Sequence, residues 1–184
     1  IEQVVSRFLP NAVTYRALDA LGIEDAELEQ NLSEQLNIAL QRLYAQQKVN
    51  GGWGWFPQDD ADPLVTAYAL IGLAEARDAG YTVDGDVLAR AAEYVRTQLI
   101  TVAPQESAWR LNRQAFLLYA LSYAGEGDLG RTARLFEERE ALSLYAKAYL
   151  AMTFHRLAPD DTRARELVND LNSALIVSAT GAHW

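Results

Sequence analysis

Asp62-Pro63-Leu64-Val65-Thr66-Ala67-Tyr68-Ala69-Leu70-Ile71-Gly72-Leu73-Ala74, closed by Ala79-Gly80, decides the fold class of this chain. Asp before Pro marks a helix start: the carboxylate can accept from unpaired first-turn N–H groups, and proline fits where its missing N–H costs nothing. Ala79-Gly80 supplies the stop. Between them apolar residues stand almost all round the helix, which predicts burial on most sides. The next segment, residues 86–99, is different. Val87, Leu88, Ala91, Tyr94, Val95 and Leu99 fall on one side, with Arg90, Glu93 and Arg96 on the other, so this helix is expected to lie outside, half in water.

The alternation repeats along the chain. Residues 109–123 carry the dense run Ala115-Phe116-Leu117-Leu118-Tyr119-Ala120-Leu121. Gly125-Glu126-Gly127 turns the chain into an amphipathic segment, 129–138, that exposes Arg131, Arg134, Glu137 and Glu138. Residues 141–157 are again greasy through Leu144, Tyr145, Tyr149, Leu150, Met152 and Phe154. Residues 163–176 are one-faced through Leu167, Val168, Leu171 and Leu175. The first pair, 4–21 and 32–47, follows the pattern less cleanly. Tyr68 to Phe116 spans 48 residues and Phe116 to Tyr149 spans 33, too uneven for a strict repeat. Four hairpins of apolar inner and amphipathic outer helices give the expected fold class: all-α, an incomplete α/α toroid like that of terpenoid cyclases and prenyltransferases.

At 184 residues, half of them apolar, the chain suffices for a single domain with a sizeable core. A net charge of -9 without basic runs speaks against nucleic acid and anionic membrane surfaces as partners. No segment reaches the roughly 20 apolar residues of a spanning helix, so direct membrane insertion is not expected. There is no cysteine, which excludes disulfides and thiolate-bound metal within this segment. The sequence starts and stops inside organised segments, so residues 1–184 are expected to be one partial domain, truncated at both ends.

Asn50-Gly51-Gly52-Trp53-Gly54-Trp55-Phe56-Pro57 packs large rings and permissive backbone into one turn. Its rings could pin a loop, wall a pocket, or do both. The loop resembles the tryptophan-rich repeats of terpenoid cyclases. Asp59-Asp60-Ala61-Asp62, however, does not match the D-x-D-D order of protonating cyclases, and Asp62 is already explained as a helix cap. A magnesium site from Asp59, Asp60 and Asp62 is the weaker reading of an acidic cluster before a helix. No metal or cofactor is expected. Of the two histidines, His155 reads as a partly buried structural residue in a greasy helix, and His183 lies in an extended or loop segment.

Ile1-Glu2-Gln3 followed by Ser6-Arg7-Phe8-Leu9-Pro10 looks like the downstream part of a C-x-E-Q thioester motif whose cysteine would precede Ile1. Together with the Gly51–Phe56 turn and Asp62-Pro63-Leu64-Val65-Thr66-Ala67-Tyr68, it resembles the thioester domain of bacterial alpha-2-macroglobulins over most of the chain. The resemblance implies that Gln3 is the acyl half of an internal thioester, with Glu2 beside it, and that Trp53, Trp55, Phe56 and Tyr68 screen the site from water. It implies no turnover: an endopeptidase inhibitor that spends one acyl group on an amine of the attacking protease. Residues 101–108 hold no histidine where complement relatives have one, which implies reaction with amines rather than hydroxyls. The implied partners are target proteases and other domains of the same protein, and the implied location is periplasmic or extracellular. Two alternatives stand beside this: a toroidal enzyme of cyclase or glycosidase type, and a structural or binding toroid without the thioester.

Overall fold

The computed structural model describes residues 1–23, 26–178 and 181–183, of which the side chains of Arg7, Phe8, Asp19, Val177, Ser178, Ala182 and His183 lie outside the described set. The helices are α1 (Glu2–Leu21), α2 (Ala26–Gln46), α3 (Pro63–Asp78), α4 (Gly85–Thr97), α5 (Ala108–Ala124), α6 (Leu129–Phe136), α7 (Leu144–Leu157) and α8 (Thr162–Ser173). One 3-10 turn, Arg139–Ala141, follows α6, and a short antiparallel pair, β1 (Ile176–Ser178) and β2 (Gly181–His183), follows α8. Among the described residues no helix is long and apolar enough to cross a membrane. Contacts divide the chain into two compact units, Ile1–Gln98 and Leu99–Trp184, where the sequence reading expects one domain.

In the first unit α3 is the buried helix that its composition predicts: Val65 through Ala76 is buried apart from Tyr68, which is partly so. Asp62 caps it, its carboxylate accepting from the N–H groups of Leu64 and Val65. α4 shows the expected single face, with Val87, Ala91, Ala92 and Val95 inward. α2 starts at Ala26, six positions before the predicted 32, and buries Leu32, Leu36, Ala39, Leu40 and Leu43 along one stripe. α1 runs in the same direction as α3: Ser6 meets Tyr68, Tyr15 meets Tyr81 and Arg16 meets Glu75 in register. It is less buried than an inner helix was expected to be. Val5 and Ala12 are fully covered, while Val13 is half exposed and Leu21 largely so, because α1 packs chiefly on α2 and α3.

The second unit repeats the theme with other side chains. α5 and α7 also run in the same direction, joined by Asn112 Oδ1 accepting from Ser143 N–H, by Phe116 against Tyr149, and by Arg156 Nε donating to Ser122 O. Its core gathers Leu111, Ala115, Leu118, Leu135, Phe136, Leu150, Phe154 and Leu167. Gln114 is buried, and its amide both donates to and accepts from the backbone of Ile100, tying residues 99–107 to α5.

Four expectations in this unit change. α6 stops at Phe136, where Glu138 leaves helical geometry ahead of the 3-10 turn, and α7 begins at Leu144 because Leu142 and Ser143 are extended. α8 ends at Ser173 rather than 176, since the β-branched Ile176 and Val177 take up strand geometry. Its stripe is also thinner than predicted: Leu167 is fully buried, whereas Val168 is nearly half exposed. His155 is exposed rather than partly buried, because Phe154 takes the inward position and the next residue sits about 100° further round the helix.

Candidate functional site

The aromatic turn is held by backbone contacts that only small residues permit. Gly51 has φ +87, and a Cβ there would come within 2.3 Å of Arg90 O; at Gly52 it would come within 2.6 Å of the Ala61 methyl. Gln47 ties the turn to α4, its amide donating to Gly51 O and Val87 O while its oxygen accepts from Arg90. Trp53 is fully buried: its indole N–H donates to Leu43 O, its backbone N–H to Thr66 Oγ1, and its carbonyl accepts from Asp62 N–H. Beyond it the chain turns outward, leaving Trp55 53% and Phe56 62% exposed. Asp59 Oδ2 accepts from Phe56 N–H and Lys48 Nζ donates to Pro57 O, which closes the tip.

The start of α1 lies against this tip. The backbone nitrogen of Ile1 donates to Trp55 O at 3.4 Å. Glu2 is partly buried and Gln3 is exposed on the same turn. Ser6 Oγ donates to Glu2 Oε1 at 2.6 Å and lies 3.3 Å from the Tyr68 hydroxyl on α3. Pro10, inside α1, has no N–H to give the Ser6 carbonyl.

The residues named from sequence thus divide. Glu2 and Gln3 lie on the turn of α1 whose start meets the Trp55 carbonyl, and Tyr68 reaches the same turn of α1 through Ser6. Trp53 does not join them: its ring presents no surface to a pocket, because the indole is spent on filling the core and bonding α2. Ser6 carried no role in the sequence reading; its position, four after Glu2 and three after Gln3, was the available signal. His183 falls in β2 with its side chain outside the described set. Among the described residues no group of three His, Cys, Asp or Glu is placed to hold a metal ion.

Near the far end of α1, a cleft of about 610 Å³ is lined by Tyr15, Arg16, Glu75 and Asp78. Glu75 is buried, one oxygen paired with Arg16 at 2.5 Å and the other without a partner among the described residues. Asp78 pairs with its neighbour Arg77. Both carboxylates are engaged by guanidinium groups, an arrangement of ion pairs rather than of an acid and a base facing a substrate.

No protein-family model matches the chain. An alpha-2-macroglobulin homolog of Yersinia pestis is 31% identical over the whole of this chain, which corresponds to 9% of that protein. The alpha-2-macroglobulin of Thermotoga maritima is 41% identical over 96 residues, 52% of this chain and 6% of the relative. The native conformation of Escherichia coli alpha-2-macroglobulin, solved by cryo-electron microscopy, aligns with 94% of this chain and 11% of its own, with a TM-score of 0.75 and 26% identity. A drimenyl diphosphate synthase of Streptantibioticus cattleyicolor is 44% identical over 61 residues, 33% of this chain and 10% of that enzyme. These likenesses bear out the expected fold class, all-α of the α/α toroid type. The chain spans about a tenth of the length of the relatives that it matches.

Proposed function

Because this chain belongs to the bacterial alpha-2-macroglobulin family, we propose that it is the thioester-bearing part of a protease trap, with Gln3 as the acyl donor. On this reading the residue before Ile1 is a cysteine whose sulfur is joined to the Gln3 side-chain carbonyl. A protease that cuts elsewhere in the parent protein triggers exposure of that bond. A protease lysine then attacks, an amide forms at Gln3, and the thiolate leaves. The domain acts once and does not turn over. Target proteases and the remaining domains of the parent are the partners, and the cell envelope is the location.

The observation that carries the reading is the approach of the α1 backbone to the aromatic tip, 3.4 Å from Ile1 N to Trp55 O, with Gln3 open to an incoming group and Trp55 and Phe56 free to cover it. An acylating group that must survive in water needs such apolar cover, and it must also be reachable. The test is methylamine added to the full-length parent. Gln3 should gain one amine and one thiol should appear; a protein with neither change is a structural relative that lacks the bond.

The local identity with drimenyl diphosphate synthase favours a shared toroid ancestry over a shared reaction. Of the Asp59-Asp60-Ala61-Asp62 stretch, Asp59 bonds the turn and Asp62 caps α3.

A further inference from the structure

Glu2, Ser6 and Tyr68 form one hydrogen-bonded line, and we propose that this line receives the proton that an attacking amine must lose at the Gln3 acyl carbon. The inference rests on the reading of Gln3 as half of a thioester. Its direction follows from counting protons. Ser6 Oγ donates to Glu2 Oε1 at 2.6 Å; a carboxylate only accepts, and a serine hydroxyl has a single proton to give. The 3.3 Å contact between Ser6 and Tyr68 is therefore one in which the phenol O–H donates. The line runs from Tyr68 through Ser6 and ends on the Glu2 carboxylate.

Ser6 stands four residues after Glu2 and three after Gln3, so it sits below both on one face of α1. The line is anchored on α3, the buried helix of this unit, whereas Gln3 is at the surface. Aminolysis needs a base at that place. The amine nitrogen bonds to the Gln3 carbonyl carbon, the carbon–sulfur bond breaks, and sulfur leaves with the electron pair as thiolate. The nitrogen, positively charged until then, must release one proton for the amide to form. Glu2 takes that proton and passes it on to the thiolate, a thiolate being a stronger base than a carboxylate. Ser6 and Tyr68 are positioning residues: they fix the carboxylate and balance its charge.

The experiment uses the full-length parent protein and follows methylamine incorporation at Gln3, release of the thiol, and the rate. Glu2→Gln should slow incorporation on the order of 100-fold with final stoichiometry unchanged. Glu2→Ala should be slowed as much and be accelerated by added formate, which a merely structural role would not allow. A Glu2→Gln protein that reacts at the unaltered rate, or a Glu2→Ala protein indifferent to formate, overturns the proton line and leaves the thioester reading standing. An unaltered protein that gains no amine overturns that reading, and the line with it. If Glu2→Gln does not form the bond at all, scored by the missing loss of ammonia from the intact mass, Ser6→Ala decides. Its rate must fall several-fold at full stoichiometry, and an unchanged rate overturns the proposal.

Discussion

The two units join a pair of parallel helices by different means. Between α1 and α3 the contacts are polar, Ser6 with Tyr68 and Arg16 with the buried Glu75. Between α5 and α7 rings are added to two hydrogen bonds: Phe116 and Tyr119 each stand 5.1 Å from the Tyr149 ring, and Arg156 of α7 caps Tyr123 of α5 at 3.9 Å. Rings gain from burial and tolerate small shifts. A buried ion pair gains less and demands its partner, since desolvation consumes most of the attraction. The same backbone arrangement is thus a packing joint in one unit and a registered joint in the other.

The largest expected effect is on the aromatic side. Tyr149→Ala removes a ring that touches Phe116, Tyr119 and Tyr145 and should cost about 3 kcal/mol, read from the urea midpoint; a loss below about 1 kcal/mol would show that the rings are ornament. On the polar side, Arg16→Met strands the Glu75 carboxylate and should cost about 2 kcal/mol, less than a fully buried pair because Arg16 is half exposed. Adding Glu75→Leu should recover most of it. A double variant no more stable than Arg16→Met would mean that the ion pair is not what holds that end of the seam.

A third test lies at the start of α8. Asp161 caps the helix and holds Arg163 with both oxygens, and these hydrogen bonds to the Arg163 side chain and backbone lower its pKa below the ordinary carboxylate value. A depressed folded-state pKa means stability that is present above the unfolded value, about 3.9, and lost as pH falls through the folded one. Asp161→Asn should cost about 1 kcal/mol at neutral pH and progressively nothing in strong acid, seen as thermal midpoints converging with falling pH. The smallest effect belongs to Tyr68→Phe, about 0.5 kcal/mol for one partly exposed hydrogen bond. A much larger loss would make that hydroxyl a structural pin rather than part of a proton line.

Helix positions were legible where the pattern is set by burial within one unit. α3 and α4 fall within a residue or two of their predicted ends, because Asp62, Pro63, Gly80 and the apolar spacing all agree. The joint chemistry was not legible. Which residues of α1 face α3 depends on a register that no local signal fixes, so Arg16 has no place in the sequence analysis and Ser6 enters it only as a motif residue without a partner. The exposure of His155 and Val168 was missed because a greasy stretch does not say how many of its sides are covered. Trp53 and Trp55 look alike in sequence, two residues apart in one glycine turn, and only the Leu43 carbonyl separates the anchor from the exposed ring.

That separation gives the chain an optical signature. The Trp53 indole, fully enclosed and bonded to a carbonyl, should emit toward the blue and be closed to a dissolved quencher. Trp55 and Trp109, at 53% and 65% exposure, remain open to one. A molecule that settles over the aromatic tip would therefore protect one fluorophore and leave its neighbour two residues away unchanged.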